Sequence, residues 1–373
     1  MHSKDGSRSI ENIVHKAHKG QRIFPEEIKM ILSLREKGLR EFLFRTARAV
    51  RDNYFGTTVF LYGFIYFSTY CKNNCTFCFY RKSNHLSPRY RKSFNQILET
   101  AKLLAGSGVH LIDLTMGEDP AYLTEAEDDL NCISEIILQI KTETDLPVMV
   151  SPGVIPRDKL CHLMDAGADW YACYQETHNK ELFARLRPEQ SYDDRLSAKY
   201  EAHRLGLLIE EGILSGVGES EEDIECSIAV MQSLDADQVR VMSFRPQQGT
   251  PMESVQPTTS DRELLLISLM RLIFPDRLIP ASLDIQGLAG LKERLDAGAN
   301  VVTSVIPPGK GWVGVAHNNL DIENANRTTR HVQNVLAECG LKAGSQQDYL
   351  RWLDERKMSV RRNLRCEEKC SAL

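Results

Sequence analysis

The stretch Val59-Phe60-Leu61-Tyr62-Gly63-Phe64-Ile65-Tyr66-Phe67, followed after two residues by Tyr70-Cys71-Lys72-Asn73-Asn74-Cys75-Thr76-Phe77-Cys78-Phe79-Tyr80, decides how the rest of the chain is read. Its aromatic and β-branched run is a strand. An open doubly wound sheet would place a phosphate-binding glycine fingerprint after such a first strand, and none follows here. Toward the C-terminus similar runs recur, so that eight strands are expected to end near Thr69, Thr115, Ser151, Tyr174, Ser215, Met242, Leu283 and Val305. Between them apolar residues return every three or four positions over 97–104, 130–140, 224–234, 264–273 and 332–336, the period of amphipathic helices. Parallel strands need such helical crossovers. Eight strand-helix units predict an α/β chain folded as a (β/α)8 TIM-type barrel over residues 56–343. On the N-terminal side, residues 1–55 read as a charge-rich helical extension. On the other side, the tail 344–373 carries Arg351, Arg356, Lys357, Arg361, Arg362 and Arg365 and reads as a solvated basic helix.

Composition bounds the function. With 42% hydrophobic and 26% charged residues the chain has the usage of a soluble globular protein. A formal net charge of −5 lacks the basic excess of a nucleic-acid binder, so no nucleic-acid partner is expected. The opening residues hold no apolar signal segment, and the run 59–67 is far shorter than the ~20 residues that span a bilayer. A cytoplasmic protein without a membrane partner is the expectation. Ten cysteines, three of them within one short loop, then point to metal ligation rather than disulfides.

That loop carries Cys71, Cys75 and Cys78 with no fourth cysteine or histidine close by. Structural zinc takes four protein ligands and complete ferredoxin-type clusters four cysteines, so three thiolates leave one metal position open. A zinc knuckle completed by His85 or a distant cysteine is the competing interpretation. The Cys-x3-Cys-x-aromatic-Cys pattern resembles the signature of the radical S-adenosylmethionine (SAM) superfamily. The resemblance implies a [4Fe-4S] cluster on Cys71, Cys75 and Cys78, whose free iron chelates SAM and cleaves it to a 5′-deoxyadenosyl radical. It also implies a low-potential electron donor such as ferredoxin or flavodoxin, and places Phe77 against the adenine.

Further matches sit at strand ends, where barrel enzymes build their sites. Gly117-Glu118 after strand two resembles the pair that meets the methionyl amine. Glu176 after strand four, with Arg195 on the next helix, resembles the biotin-synthase-like and hydrogenase-maturase-like branch, where such residues hold the ribose and the methionyl carboxylate. Ser151 at the end of strand three, and Ser215 in the glycine-rich segment Gly212-Ile213-Leu214-Ser215-Gly216 that lies along the adenine, complete the cofactor residues implied.

Charged residues at inward strand positions cost several kcal/mol unless paired. Asp113 on strand two, Arg240 on strand six and Asp284 after strand seven are such residues, and Ser282 shares a face with Asp284. One guanidinium and two carboxylates complement a ligand with one carboxylate and two amines, which is the pattern of lysine or a similar diamino acid. Alternatively, Arg240 pairs with Asp284 or Asp113 as an internal salt bridge. The segment Ile279-Pro280-Ala281-Ser282-Leu283-Asp284-Ile285-Gln286-Gly287 and the Arg240 strand resemble the methylornithine synthase family, the lysine mutases of pyrrolysine biosynthesis, over about residues 10–340. That resemblance implies a skeleton rearrangement of L-lysine to 3-methylornithine. In it Arg240 holds the substrate carboxylate, Ser282 and Asp284 the α-amine side, and Asp113 an amine. The rivals are an amino-acid lyase or maturase of the same branch and a non-catalytic iron-sulfur scaffold. Sulfur insertion is disfavoured, since no further cysteine set sits in the strands. Cys339 and the pair Cys366 and Cys370 have no place in the family pattern.

Overall fold

The computed structural model describes residues 2–123, 127–307 and 327–371, side chains at the two ends and in 127–131 excepted. Eight parallel strands make the barrel: β1 (Thr58–Ser68), β2 (Leu111–Met116), β3 (Val148–Ser151), β4 (Trp170–Ala172), β5 (Leu208–Ser215), β6 (Gln238–Ser243), β7 (Pro280–Ser282) and β8 (Val301–Val305). Their order is β6-β5-β4-β3-β2-β1-β8-β7, and the ring closes between β6 and β7 only at its lower end, where Val239 N donates to Leu278 O at 3.0 Å. The expected (β/α)8 architecture is therefore a nearly closed barrel. β4 stops two residues before the expected Tyr174. There the Glu211 carboxylate reaches from β5 to take the Gln175 N–H at 2.9 Å, and β4 pairing resumes only at Glu176, opposite Ile213.

Residues 2–55 form three helices, His2–His18, Pro25–Leu32 and Lys37–Phe55, packed on the barrel helices Glu221–Ser233 and Ser260–Ile273. Sandwiched between this layer and the strands, the helix Ser260–Ile273 is buried from Glu263 through Ile273, so its sequence is apolar well beyond one stripe.

The barrel interior has two halves. The lower half is apolar, filled by inward-facing side chains including Phe60, Leu111, Met149, Trp170, Leu208 and Val301. It is stoppered by the helix Gln346–Ser371, which corrects the expectation of a solvated tail. Tyr349, Leu353 and Val360 enter the barrel floor, the Tyr349 and Tyr62 hydroxyls meet at 3.0 Å, and Trp352 stacks on Trp170 with ring centroids 5.9 Å apart. Two of the tail's basic residues pair with acids of the barrel, Arg356 with Asp235 (2.8 Å) and Asp237, and Lys357 with Asp169 (2.5 Å), while Arg351, Arg361 and Arg362 stay exposed. Burial of the three apolar side chains contributes about 1.5–3 kcal/mol each. The side chains of Cys366 and Cys370 lie outside the described residues. Among the described residues no helix is long and apolar enough to cross a membrane.

Candidate active site

The upper half of the barrel is polar, and the cysteine loop lies across its mouth. Ser68 at the end of β1 donates to the buried Asp119 at 2.5 Å, and Arg91 clamps the same carboxylate at 2.7 and 2.9 Å. Arg89 gathers the carbonyls of Thr69, Tyr80, Arg81 and Asn84, while Lys72 N donates to Glu118 O at 2.9 Å. A loop so closed on its own carbonyls presents Cys71, Cys75 and Cys78 to one cavity of about 230 Å³. Gly117 is needed at that contact, since a Cβ there would stand 2.2 Å from Tyr70 O and 2.9 Å from the Cys71 Cβ. Burial pushes the thiols of Cys71 and Cys78 upward, and each of the two also feels the Cys75 thiol. Metal binding would displace their protons. His85 is exposed and stands outside this cavity, so the zinc knuckle gains no fourth ligand from it.

The expected cofactor residues mostly share the cavity: Phe77, Gly117, Glu118, Ser151, Glu176 and Arg195 all line it. Arg195 Nη2 pairs with Glu118 Oε1 at 2.5 Å, and its Nη1 approaches the Cys173 sulfur at 2.9 Å. Glu118 fits because Gly153, at φ +83°, has no side chain: a Cβ there would lie 2.0 Å from Glu118 Cγ. Glu176 pairs with Arg187 at 2.6 Å rather than with Arg195. Ser215 is the exception. Its hydroxyl bonds Glu219 at 2.9 Å and accepts from Arg262 at 3.2 Å, and it does not line the cavity that the other cofactor residues share. The cause is alternation on β5, where Gly212 and Leu214 point inward.

Beneath this cavity, buried charges form a connected layer. Arg240 lines the cavity and donates Nε to Glu210 Oε1 at 2.6 Å and Nη1 to Thr303 Oγ1 at 3.2 Å. Glu210 also accepts from Gln238 at 2.6 Å and from the Tyr174 hydroxyl at 2.5 Å. Burial pulls the Arg240 guanidinium down, but Glu210 and Tyr174 more than offset this and hold it above its ordinary value. The internal salt bridge considered from sequence thus exists with a different partner, Glu210, and neither Asp284 nor Asp113 is that partner. Asp284 accepts from Ser282 at 3.2 Å, Ser304 at 2.7 Å and Arg327 at 3.2 Å. Asp113 accepts only the Thr115 hydroxyl among its described bonds, at 2.7 Å. Burial pushes its carboxyl up to about 7 against that hydrogen bond, with Glu210 and Asp284 adding to the rise and Arg240 opposing it. Asp113, Ser282 and Asp284 are buried in this layer without lining the cavity above it. Two guanidinia and three carboxylates therefore converge there. Glu210, Thr303, Ser304 and Arg327 were not singled out from the sequence. A signal existed for Glu210, an acid inside the apolar run of β5, but none for Arg327, which enters from beyond the barrel strands.

Residues 65–229 match the Radical SAM superfamily. The chain is 44% identical over 340 residues to the 3-methylornithine synthase of Methanosarcina barkeri, covering 91% of this chain and 96% of that protein. The chain belongs to the 3-methylornithine synthase family of radical SAM enzymes. A crystal structure of methylornithine synthase superposes with a TM-score of 0.85 at 44% identity, covering 91% of this chain and 99% of that one. A more distant relative is the [FeFe] hydrogenase maturase subunit HydE of Thermotoga maritima, 32% identical over 280 residues, 74% of this chain and 78% of that protein. The cofactors of the family are a [4Fe-4S] cluster and SAM. The site fits both. Three thiols ring one cavity mouth, two N–H donors already face the Cys75 sulfur, and the side-chain-free Gly117 and Gly153 leave space beside Glu118. Among the described residues no three His, Cys, Asp or Glu side chains converge on a single ion; a cuboidal cluster, unlike one ion, holds its ligands apart.

Proposed function

We propose that this chain rearranges the carbon skeleton of L-lysine to 3-methylornithine, the first step of pyrrolysine biosynthesis. The observation that carries this reading is the layer of Arg240–Glu210, Asp284–Arg327 and Asp113 beneath a cysteine-lined cavity. Cys71, Cys75 and Cys78 would hold the cluster, which together with SAM would supply reversible hydrogen-atom abstraction at the substrate. Everything else falls to the protein.

In this reading Phe77 packs on the adenine and the Gly117-Glu118 backbone meets the methionyl amine. Glu176 and Arg195 hold the ribose and the methionyl carboxylate, and Ser151 lines the same space; the Ser215 hydroxyl is held by Glu219 and Arg262. Arg240 offers its remaining guanidinium donors to the lysine carboxylate. Ser282 and Asp284 take the α-amine side, with Asp284 oriented by Ser304 and Arg327. Asp113 takes an ammonium, which is the partner its carboxylate lacks. A rearrangement through fragments demands that both pieces stay in place until they rejoin, and charges anchored at opposite ends of the substrate do this. A ferredoxin or flavodoxin would deliver the electron, in a cytoplasmic setting.

The test is anaerobic reconstitution, reduction, and incubation with SAM and lysine, with 5′-deoxyadenosine and lysine isomers followed by mass spectrometry. Conversion of lysine to an equal-mass isomer, lost in Cys75→Ala and Arg240→Ala, is the expected result. Release of 5′-deoxyadenosine with fragmentation of lysine would instead make the protein a lyase. No SAM cleavage by a fully loaded protein would remove the catalytic reading altogether.

A further inference from the structure

The helix Lys180–Leu186 ends against the cysteine loop because Thr76 donates its backbone N–H to Leu186 O at 2.8 Å. That tether sets Arg187 and Gln190, which follow the helix, on the Cys75 sulfur. Gln190 Nε2 lies 3.1 Å from Cys75 Sγ and Arg187 Nη1 lies 3.4 Å from it. The orientation of the Gln190 amide follows from chemistry. Its Oε1 accepts from Arg195 Nη2 at 2.9 Å and from Arg187 Nη1 at 3.5 Å, and a flipped amide would press its NH2 group against two guanidinia. The N–H must therefore face the sulfur. Gln190 is not among the residues that line the cavity, and its amide is held by Arg195 and Arg187 instead. Arg187 does line it and is already neutralised by Glu176 at 2.6 Å.

We propose that the Gln190 side-chain amide, with Arg187 beside it, donates hydrogen bonds to the Cys75 thiolate and thereby raises the reduction potential of the cluster. One-electron reduction by the external low-potential donor adds a negative charge that spreads onto the thiolate sulfurs. Donors aimed at a sulfur stabilise the reduced form more than the oxidised one. Gln190 is thus a positioning residue for the redox step: the pair Arg195–Glu118 fixes its carbonyl, and its N–H sets the electronic character of the cysteine. The inference rests on Cys75 being a cluster ligand.

Gln190→Met keeps the side-chain length and removes both N–H groups. Wild type and variant are reconstituted without SAM, and the reduced cluster is followed by electron paramagnetic resonance in a mediated potentiometric titration. At the potential that half-reduces the wild type, the ratio of reduced to oxidised cluster in the variant should fall by about three- to tenfold, the latter being about 59 mV for a one-electron couple. An unchanged ratio in a variant that holds a full cluster overturns the proposal. Should Gln190→Met not retain a cluster, Gln190→Glu keeps the shape and the two arginine contacts, and its potential must fall as well. Independently of any variant, reduced wild type carrying 15N in its glutamine side-chain amides must show weak hyperfine coupling to that nitrogen, and its absence overturns the hydrogen bond. Failure of the wild type to assemble any four-iron cluster is a different result, which removes the reading of Cys75 itself.

Discussion

Replacing Glu210 by glutamine separates charge from shape at the centre of the polar layer. The carboxylate accepts from Arg240, Gln238 and the Tyr174 hydroxyl. In the variant the amide oxygen faces Arg240 and Gln238, the amide N–H turns toward Tyr174, and the Tyr174 hydroxyl rotates to accept. The hydrogen bonds survive, and the counter-charge of a buried guanidinium does not. Breaking a buried ion pair on one side costs about 3–5 kcal/mol, and retained hydrogen bonds put this case at the lower end, about 3 kcal/mol. At about 2 °C per kcal/mol for a large domain, the unfolding midpoint should drop by about 6 °C.

Lysine should repair this. If its carboxylate sits on Arg240, it supplies the missing negative charge, so the variant gains more from ligand than the wild type does. Thermal unfolding of anaerobically purified proteins, with and without saturating lysine, measures both terms. The deficit should be near its full value without lysine and less than half of it with lysine. A deficit of the same size in both conditions would refute Arg240 as the carboxylate site. An unchanged midpoint in the variant would refute the pair's structural role.

Other expectations follow from the same geometry. Because burial holds Asp113 at about 7 in the free protein, an ammonium can be gripped only above that value, so the logarithm of kcat/KM for lysine should fall with unit slope as pH drops below ~7; Asp113→Asn should lower activity and flatten that limb. The raised value also has a stability sign: the folded state binds the proton more tightly than the unfolded chain, so this group's contribution weakens as pH rises from about 4 to 7, and Asp113→Asn should be relatively more stable at pH 8 than at pH 5 in urea titrations. Gly153→Ala places a methyl group 2.0 Å from Glu118 Cγ at φ +83°, so SAM affinity measured by calorimetry should fall at least tenfold while the cluster content stays at the wild-type level. Tyr349→Ala opens the barrel floor and strips the Tyr62 hydroxyl of its partner, and should cost about 3–5 kcal/mol in chemical unfolding.

The barrel was legible because its evidence is local and repeated. Each strand announces itself by composition and each helix by period, and the cysteine loop has a spacing that few other chemistries use. The tail was misjudged for a physical reason. Its charges dominate the composition, while Tyr349, Leu353, Arg356 and Val360 recur at four, three and four residues, the stripe of a helix with one buried face. Two of the charges counted as solvated, Arg356 and Lys357, are the ones that fix that face to Asp237 and Asp169. The Ser215 side chain lies off the cavity because a motif assigns a segment, whereas alternation along the strand decides which of its side chains reach the cavity.

The adjacent acids Glu210 and Glu211 show what a strand pattern can still yield when it is read residue by residue. Consecutive positions on a strand face opposite sides, so two carboxylates side by side in an apolar run cannot serve one purpose. Glu210 turns inward and pairs with Arg240. Glu211 turns outward, where Lys199 pairs with it, His178 approaches to 3.6 Å, and the backbone N–H groups of Gln175 and Gly212 donate to it at 2.9 and 2.8 Å. Burial alone would raise its carboxyl, but Lys199 and His178 hold it well below the usual range. Its stabilising effect is therefore fully present above about pH 4 and is lost as pH falls further. The outward carboxylate bridges the gap where β4 breaks off, and that gap is what lets the chain turn Glu176 at φ 70° into the cavity. One acid thus neutralises the guanidinium of Arg240, and its neighbour shapes the backbone that presents Glu176 to the cavity.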